Sequence, residues 1–197
     1  MYNFQLPKKE ISKIRFVLSQ PDGVIIFPTD TVWGIGCVIN SKSAVKRIYS
    51  LKQRAENKPL ILLGSNFDQL VPYVKPLSQL QIEIINKFLP GAVTFVLPKS
   101  ELVPDYITSG MDTVGIRVPD HPPLINLLEE GVENHVLATT SANISGTDAP
   151  AFKDNLEIKA DYILDDYGYN PSGAESTVVS LDKTGKIQVL RQGKIKI

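Results

Sequence analysis

The sequence has little of what metal centres and thiol chemistry need. Its 197 residues include one cysteine and two histidines. Cys37 lies in an apolar run and has no second cysteine to pair with, which a reducing compartment tolerates, so we expect a buried small side chain and no nucleophile. His121 and His135 are far apart and adjoin apolar or proline residues, so a zinc site is not expected.

Long apolar runs and an excess of one charge are also missing. No segment approaches the roughly twenty apolar residues of a membrane-spanning helix, and the amino-terminal segment interrupts its apolar positions with charges, unlike a signal peptide. Twenty-one basic residues balance twenty-one acidic ones, which gives no reason to expect strong nonspecific nucleic-acid binding. These absences favour a cytoplasmic protein without a membrane segment, in which any anion site is local.

The hydrophobic residues that are present, 43% of the chain, suffice for a sizeable core in a chain of this length. The sequence shows no internal repeat, low-complexity tract or convincing linker. We therefore expect one domain over residues 1–197.

Periodicity and breakers predict alternating helices and strands. Helices are predicted around 11–18, 43–53, 77–88 and 123–130, and Ser41 or Ser43 is the candidate cap of the second. Strands are predicted around 24–27, 60–63, 93–97, 113–118, 136–140, 162–164, 177–181 and 186–190. A Gly-containing loop follows the first strand, and 182–185 forms a hairpin connection between the last two. This mixture predicts an α/β or α+β sheet with helices packed on it.

The segment 27–36, FPTDTVWGIG, places polar residues directly after a buried strand, where open α/β sheets bind ligands. The hydroxyls of Thr29 and Thr31 could bond a small polar substrate. The alternative is a polar turn with an Asx-type bond from Asp30.

Three cations, Lys52, Arg54 and Lys58, lie on a short connection between a helix and a strand. A lysine point charge beside the planar fork of an arginine suits a polyphosphate and charge that develops at phosphorus. A solvated helix end with cations near the negative end of its dipole is the alternative.

The segment 138–146, ATTSANISG, runs from a strand into a turn rich in hydroxyls and backbone donors, which could cradle phosphate or ribose oxygens. Ser141 has no nearby histidine base and no G-x-S-x-G context, so a serine nucleophile is not expected. A plain Asx or Ser turn is the alternative.

Arg117 lies inside an apolar strand, where an unpaired buried charge would be costly. Asp112, Asp120 or a ligand carboxylate could be its partner, unless the side chain points to solvent. The segments 175–179 and 189–193 add further hydroxyls and a cation near the carboxyl end.

Taken in order, these segments resemble the YrdC-like family of threonylcarbamoyl-adenylate synthases from about residue 24 to residue 193. The pattern is K-x-R at 52–54 and S-x-N at 141–143, with PTDTVWG (28–34), LPGAVTFVLP (89–98), VGIRVPDHP (114–122), ESTVV (175–179) and LRQG (190–193). One such tripeptide means little, but seven in the same order outweigh the local alternatives.

The resemblance implies a single-domain YrdC-like fold, in which a twisted, mixed, open sheet surrounds a basic cavity for L-threonine and for ATP with Mg²⁺. By position, the resemblance assigns threonine binding to Thr31, Arg117, Thr139 and Ser176. It assigns ATP binding to Arg54, Lys58, Thr113, Ser141, Asn143 and Arg191. Lys52 and Arg54 are the implied catalytic residues, and no protein side chain is implied as a metal ligand.

The implied reaction carboxylates the threonine amine with bicarbonate, after which the carbamate attacks the α-phosphate of ATP and pyrophosphate leaves. The product serves threonylcarbamoylation of adenosine in tRNA by a transferase complex, and weak tRNA binding by this protein is a further possibility. Such chemistry depends on positioning and electrostatics and needs no protein nucleophile.

The sequence departs from the family pattern in three places. Leu63 stands where some branches have a histidine that touches threonine, and Trp33 stands where tyrosine is frequent. The longer branch adds a carboxyl-terminal domain, so we expect the short, single-domain form here.

Two competing hypotheses belong to other classes. One is an RNA-binding module of the same fold without adenylate formation, which the charge balance disfavours. The other is the related paralogue group or the carbamoyl-transfer domain of hydrogenase maturation proteins. The S-x-N motif disfavours the paralogues, and the lack of zinc-finger and acylphosphatase-like segments disfavours the maturation proteins.

Overall fold

The computed structural model describes residues 4–197, and nine strands in this range form one sheet. They are β1 Ile25–Phe27, β2 Gly34–Val38, β3 Ile61–Gly64, β4 Val93–Pro98, β5 Thr113–Arg117, β6 Val136–Ser141, β7 Tyr162–Ile163, β8 Thr177–Leu181 and β9 Ile187–Arg191. Their order across the sheet is β7-β1-β2-β6-β3-β5-β4-β8-β9. The pairs β1 with β7, β3 with β5 and β4 with β8 are parallel, and the others are antiparallel. The predicted mixed, open sheet is confirmed.

Residues 4–197 also form six α-helices, of which the first precedes β1 and the other five lie between strands. They are α1 Lys8–Leu18, α2 Lys42–Leu51, α3 Phe67–Leu70, α4 Gln79–Asn86, α5 Asp105–Thr108 and α6 Pro122–Gly131. Ser41 caps α2 by accepting a backbone N–H of the first turn, which decides between the two predicted candidates. Ser78 and Gln81 form a capping box at α4. The ring of His121 caps α6, and burial lowers the pKa of this histidine.

Apolar side chains cover both faces of the sheet. Successive residues of β1 point to opposite faces, and accordingly Ile26 packs with Trp33 and Phe95 on one face whereas Ile25 packs with α1 and α6 on the other. Cys37 is fully buried in the first layer, where burial raises its pKa to about 12. The predicted buried thiol is therefore confirmed.

The main difference from the prediction is β2, which occupies part of the segment expected to be a loop. Its glycines resemble a turn signal, but pairing with β1 and β6 on both sides overrides that local preference. A Cβ at Gly36 would lie 2.8 Å from Cγ2 of Thr139 on β6, so the glycine permits close approach of the two strands. The single-turn helices α3 and α5 were also not predicted, because four residues carry too little periodicity.

Residues 4–197 contain no helix that is both long and apolar enough to cross a membrane. The same range contains no cluster of three or more His, Cys, Asp or Glu side chains placed to hold a metal ion. Residues 1–3 of the predicted domain, which include the start of the segment compared with a signal peptide, lie outside the described residues.

Candidate active site

A cavity opens where the loop after β1 meets the ends of several central strands. Its wall combines three arginines, one carboxylate, seven hydroxyl-bearing residues and a set of small or apolar ones. The lining residues are Thr29, Thr31, Val32, Gly34, Arg54, Pro59, Ile61, Leu63, Thr94, Arg117, Thr139, Thr140, Ser141, Glu175, Ser176, Val178 and Arg191. Such a wall suits a small ligand that carries both anionic groups and an apolar part.

Arg117 ends β5 and forms the centre of what we call the Arg117 pocket, which comprises Thr29, Asp30, Thr31 and Arg117. Nε donates to the Gly91 carbonyl at 2.9 Å, Nη1 to Thr31 Oγ1 at 2.8 Å and Nη2 to Asp30 Oδ1 at 2.5 Å. The arginine is only 4% exposed. Burial lowers the pKa of Arg117, and the Asp30 carboxylate opposes that change. The ion pair therefore offsets part of the free-energy cost of burying the guanidinium.

Asp30 differs from the sequence interpretations in two respects. The Asx-type turn bond expected from Asp30 is replaced by bonds to Thr29, whose Oγ1 accepts from the N–H groups of Thr31 and Val32. Asp30 instead pairs with Arg117 and so adds a protein partner to the Asp112, Asp120 or ligand carboxylate expected from the sequence. A contact between positions 30 and 117 leaves no local pattern in the sequence.

The K-x-R and S-x-N motifs meet in space. Lys52 follows α2, and its ammonium donates to the backbone carbonyls of Ser141 and Asn143 and to Asn143 Oδ1. Ser141 Oγ in turn donates to the same amide oxygen at 2.5 Å. Burial, followed by the charge of Arg54, lowers the pKa of Lys52 to about 7. The lysine is 1% exposed and lies beneath the turn, outside the cavity wall.

Arg54, unlike Lys52, lies on the cavity wall. Its Nη1 donates weakly to Thr140 Oγ1 at 3.4 Å and its Nη2 to the Pro59 carbonyl at 3.1 Å. Among residues 4–197, Nε is buried and has no hydrogen-bond partner, and burial lowers the pKa of the Arg54 guanidinium. A buried donor without a partner is costly to stability.

Another part of the cavity wall comes from β4, β8, β9 and the residues just before β8. Ser176 Oγ is 2.9 Å from Thr94 Oγ1, and both residues are buried. Arg191 donates from Nη2 to the Ser176 carbonyl at 2.9 Å and from Nη1 to Glu175 Oε2 at 2.7 Å. We call Arg54, Ser141, Glu175 and Arg191 the Arg54 side of the cavity.

The structure brings together most of the residues assigned by resemblance. Those on the cavity wall are Thr31, Arg54, Arg117, Thr139, Ser141, Ser176 and Arg191. Lys52 and Asn143 adjoin it through Ser141. Lys58, which is exposed, and Thr113, at the start of β5, are not on the wall.

The site assignments did not include several wall residues. Thr94, Thr140 and Glu175 lie inside the quoted motifs or directly beside them, so motif position was a usable signal for all three. Val178 also lies inside a quoted motif, whereas Ile61 carried no such signal, because apolar strand residues are expected in any core.

Fold and cavity together define a class of protein: an α/β-sheet protein with a cationic, hydroxyl-lined cavity for a small anionic ligand. Among residues 4–197, no thiol or imidazole lies on the wall of this cavity.

Within that class, residues 18–193 match the family model of the Sua5, YciO and YrdC proteins, described as telomere recombination. The chain belongs to this family, as its motif order predicted.

Two relatives, both threonylcarbamoyl-AMP synthases by name, agree with this family assignment. The chain is 36% identical over 178 residues to threonylcarbamoyl-AMP synthase of Pyrococcus abyssi, a match that covers 88% of this chain and 51% of the relative. It is 38% identical over 162 residues to threonylcarbamoyl-AMP synthase of Klebsiella pneumoniae, covering 81% of this chain and 83% of the relative. The chain thus spans about half the length of the first relative and most of the second.

A solved structure is also similar over nearly the whole chain. The crystal structure of P. abyssi Sua5 complexed with L-threonine superposes with a TM-score of 0.86 at 34% identity, covering 96% of this chain and 56% of that chain.

Proposed function

We propose that the protein is a threonylcarbamoyl-AMP synthase, which converts L-threonine, bicarbonate and ATP into threonylcarbamoyl-AMP and pyrophosphate. The observation that carries the proposal is the placement of two arginines on the wall of one cavity, Arg117 beside Thr31 and Arg54 beside Thr140. A carboxylate and a polyphosphate can then be held within reach of each other. The names of the relatives support this enzyme over an RNA-binding module.

The Arg117 pocket holds the amino acid in this proposal. Gly91, Asp30 and Thr31 use three of the five N–H donors of the Arg117 guanidinium. The remaining N–H groups donate to the threonine carboxylate. The hydroxyls of Thr139 and Ser176 face the same space and receive the polar groups of the substrate. The apolar side chains of Ile61 and Leu63 contact its methyl group.

The Arg54 side holds the nucleotide. Arg54, Ser141 and Arg191 contact it from the wall, Asn143 orders the turn, and Lys58 and Thr113 complete the set when the nucleotide is bound. Mg²⁺ bound with ATP would offset phosphate charge. Among the described residues Glu175 is the one carboxylate on the wall, so phosphates and water would supply most of the ligands, as is common for Mg²⁺.

The reaction then needs charge placement more than proton transfer. The amine nitrogen of threonine bonds to the carbon of bicarbonate with loss of water, and an oxygen of the carbamate attacks the α-phosphorus. The bond from that phosphorus to the bridging oxygen breaks, and pyrophosphate leaves. Arg54 stabilises the developing phosphate charge, and Lys52 supports it by fixing the Ser141 turn.

The product is consumed by a threonylcarbamoyl-transferase complex that modifies tRNA, and the protein itself binds tRNA weakly at most. The free, buried Cys37 fits a cytoplasmic location.

The proposal is tested by following pyrophosphate release and threonylcarbamoyl-AMP, the latter by mass spectrometry, while substrates are omitted one at a time. We expect both signals only when threonine, bicarbonate and ATP are all present. Pyrophosphate release that continues without threonine would contradict the proposal. Tight, salt-sensitive binding of unmodified tRNA without adenylate formation would favour the RNA-binding module instead.

A further inference from the structure

Glu175 is the only acidic side chain on the cavity wall among residues 4–197, and it faces the arginines assigned to the nucleotide. Its carboxylate lies 2.7 Å from Nη1 of Arg191, and the two side chains are 40% and 46% exposed. The role proposed above gives Glu175 no contact with substrate. Its position therefore needs a separate explanation.

The charge of Glu175 acts beyond Arg191. Its carboxylate opposes the lowering of the pKa in both Lys52 and Arg54. Glu175 thus stabilises the charged forms of the same cations that a polyphosphate would stabilise. In this respect the carboxylate takes the place of a phosphate group.

The backbone that carries Glu175 is firmly held. Its carbonyl accepts from the N–H of Lys194 at 2.9 Å, and Thr177 Oγ1 accepts from the N–H groups of Gly193 and Ile195. A Cβ at Gly193 would lie 2.3 Å from the Glu175 carbonyl oxygen, so the glycine permits this contact. Separation of Glu175 from Arg191 therefore requires rotation of side chains alone.

The Arg191 guanidinium keeps a second anchor during such a rotation. Nη2 donates to the Ser176 carbonyl at 2.9 Å, a bond that is independent of Glu175. The other end of the fork can then turn from the carboxylate to a phosphate oxygen while the arginine stays at the wall. A charge-assisted hydrogen bond from arginine to phosphate is strong, whereas a half-exposed carboxylate pair contributes little, so the phosphate can replace the carboxylate.

We propose that Glu175 is an internal anion that competes with the polyphosphate for Arg191, and so weakens binding of both ATP and the pyrophosphate product. This inference rests on the proposed function for the identity of the ligand. It makes Glu175 a determinant of nucleotide affinity and of pyrophosphate release. The carboxylate is not a contact of the bound nucleotide.

The test is titration calorimetry of inorganic pyrophosphate, and separately of ATP without metal, against wild type and Glu175→Gln. Glutamine keeps the size of the side chain and removes its charge. We expect the dissociation constants to fall about two- to fivefold, the range set by an exposed ion pair, and the gain to shrink in 0.5 M KCl because salt screens exposed charges. Thermal unfolding of each variant verifies the fold.

Asp165→Asn is the matched control, because it removes one negative charge from another exposed ion pair, with Lys153, outside the cavity wall. An equal gain in affinity in this control would overturn the inference, since the effect would then be one of net charge. Weaker or unchanged binding by Glu175→Gln would also overturn it. If wild type binds neither ATP nor pyrophosphate, the proposed function fails together with this inference.

Discussion

The two ends of the cavity hold their arginines in different ways. In the Arg117 pocket every nitrogen of the guanidinium already donates to a protein oxygen, and the side chain is 5% exposed beside a 13% exposed partner carboxylate. On the Arg54 side, Nε of Arg54 has no hydrogen-bond partner among residues 4–197 and Arg191 is 46% exposed. The first arginine is held by the protein at every nitrogen, whereas the second end keeps an unused donor and an exposed guanidinium.

This difference fits the two ligands of the proposed reaction. A small amino acid offers few contacts, so its site gains most from groups that are already ordered. A triphosphate carries several charges and can displace an existing ion pair. Rigid and adjustable arginines in one cavity would then serve different parts of one reaction.

The largest effect is expected when Arg117 is replaced. Arg117→Ala leaves the carboxylate of Asp30, which is only 13% exposed, without a counter-charge, so we expect the free energy of unfolding to fall by about 3 kcal/mol and threonine-dependent activity to fall by at least about 100-fold. Denaturant unfolding and pyrophosphate release measure the two effects. Arg47→Ala removes the partner of Asp161 from a pair that is about one-third exposed, and should cost below about 1 kcal/mol. Equal stability losses in both variants would contradict the idea of a rigid Arg117 pocket.

Arg54→Ala tests the adjustable end. We expect pyrophosphate release to fall by about 100-fold, because Arg54 is assigned to the charge that develops on the phosphate. The free energy of unfolding should change by less than about 1 kcal/mol, since the removed group includes an unsatisfied donor. Arg15→Ala, which removes an exposed arginine of α1 outside the cavity wall, is the control for loss of one positive charge. Normal turnover by Arg54→Ala would refute the assignment.

The sequence supports this comparison only in part. Helices such as α2 and α6, and strands such as β1 and β8, follow from periodicity and breakers, and their predicted bounds lie close to those observed. Ordered motifs indicated most wall residues, including Arg54 and Arg117. These features are local, or depend on the order of local segments.

Features that depend on tertiary contact could not be predicted. β2 carries glycines that favour a loop, and only its two neighbouring strands make it extended. The pairing of Asp30 with Arg117 joins residues 87 positions apart. The sequence places Lys52 next to Arg54, but the burial of its ammonium beneath the Ser141 turn depends on side-chain packing.

The variant Lys52→Met tests whether Lys52 holds the Ser141 turn, which is part of the Arg54 side, in place. The variant leaves the carbonyls of Ser141 and Asn143 without their donor, so we expect a loss of about 2 kcal/mol in the free energy of unfolding. The KM for ATP should rise by about tenfold as the turn loosens. Lys99→Met, which removes a different ammonium bound to a backbone carbonyl, should leave the KM for ATP unchanged.

The pH dependence of the same variant gives a second measurement. The pKa of Lys52 is about 7 in the fold and its ordinary value is 10.5. Between these values the unfolded chain binds more protons at this group, so its contribution to the free energy of unfolding increases as pH rises from 7 to 10.5. The difference between wild type and Lys52→Met should therefore widen in favour of wild type over this range. A difference that is flat with pH would contradict the lowered pKa.

The smallest expected effect concerns the apolar wall of the Arg117 pocket. Leu63 is 3% exposed and lines the cavity, and Leu62, next to it on β3, faces the other apolar layer. Leu63→Val removes one methylene from the wall that we assign to the substrate methyl. We expect the ratio of kcat/KM for threonine over serine to fall about two- to fivefold, within the limit that one methyl contact can supply. Leu62→Val should destabilise the protein similarly, by about 1 kcal/mol, and leave the ratio unchanged. Equal shifts of the ratio in both variants would show that selectivity depends on the packing of β3 as a whole. The rigid end of the cavity would then include the whole of β3 as well as Arg117.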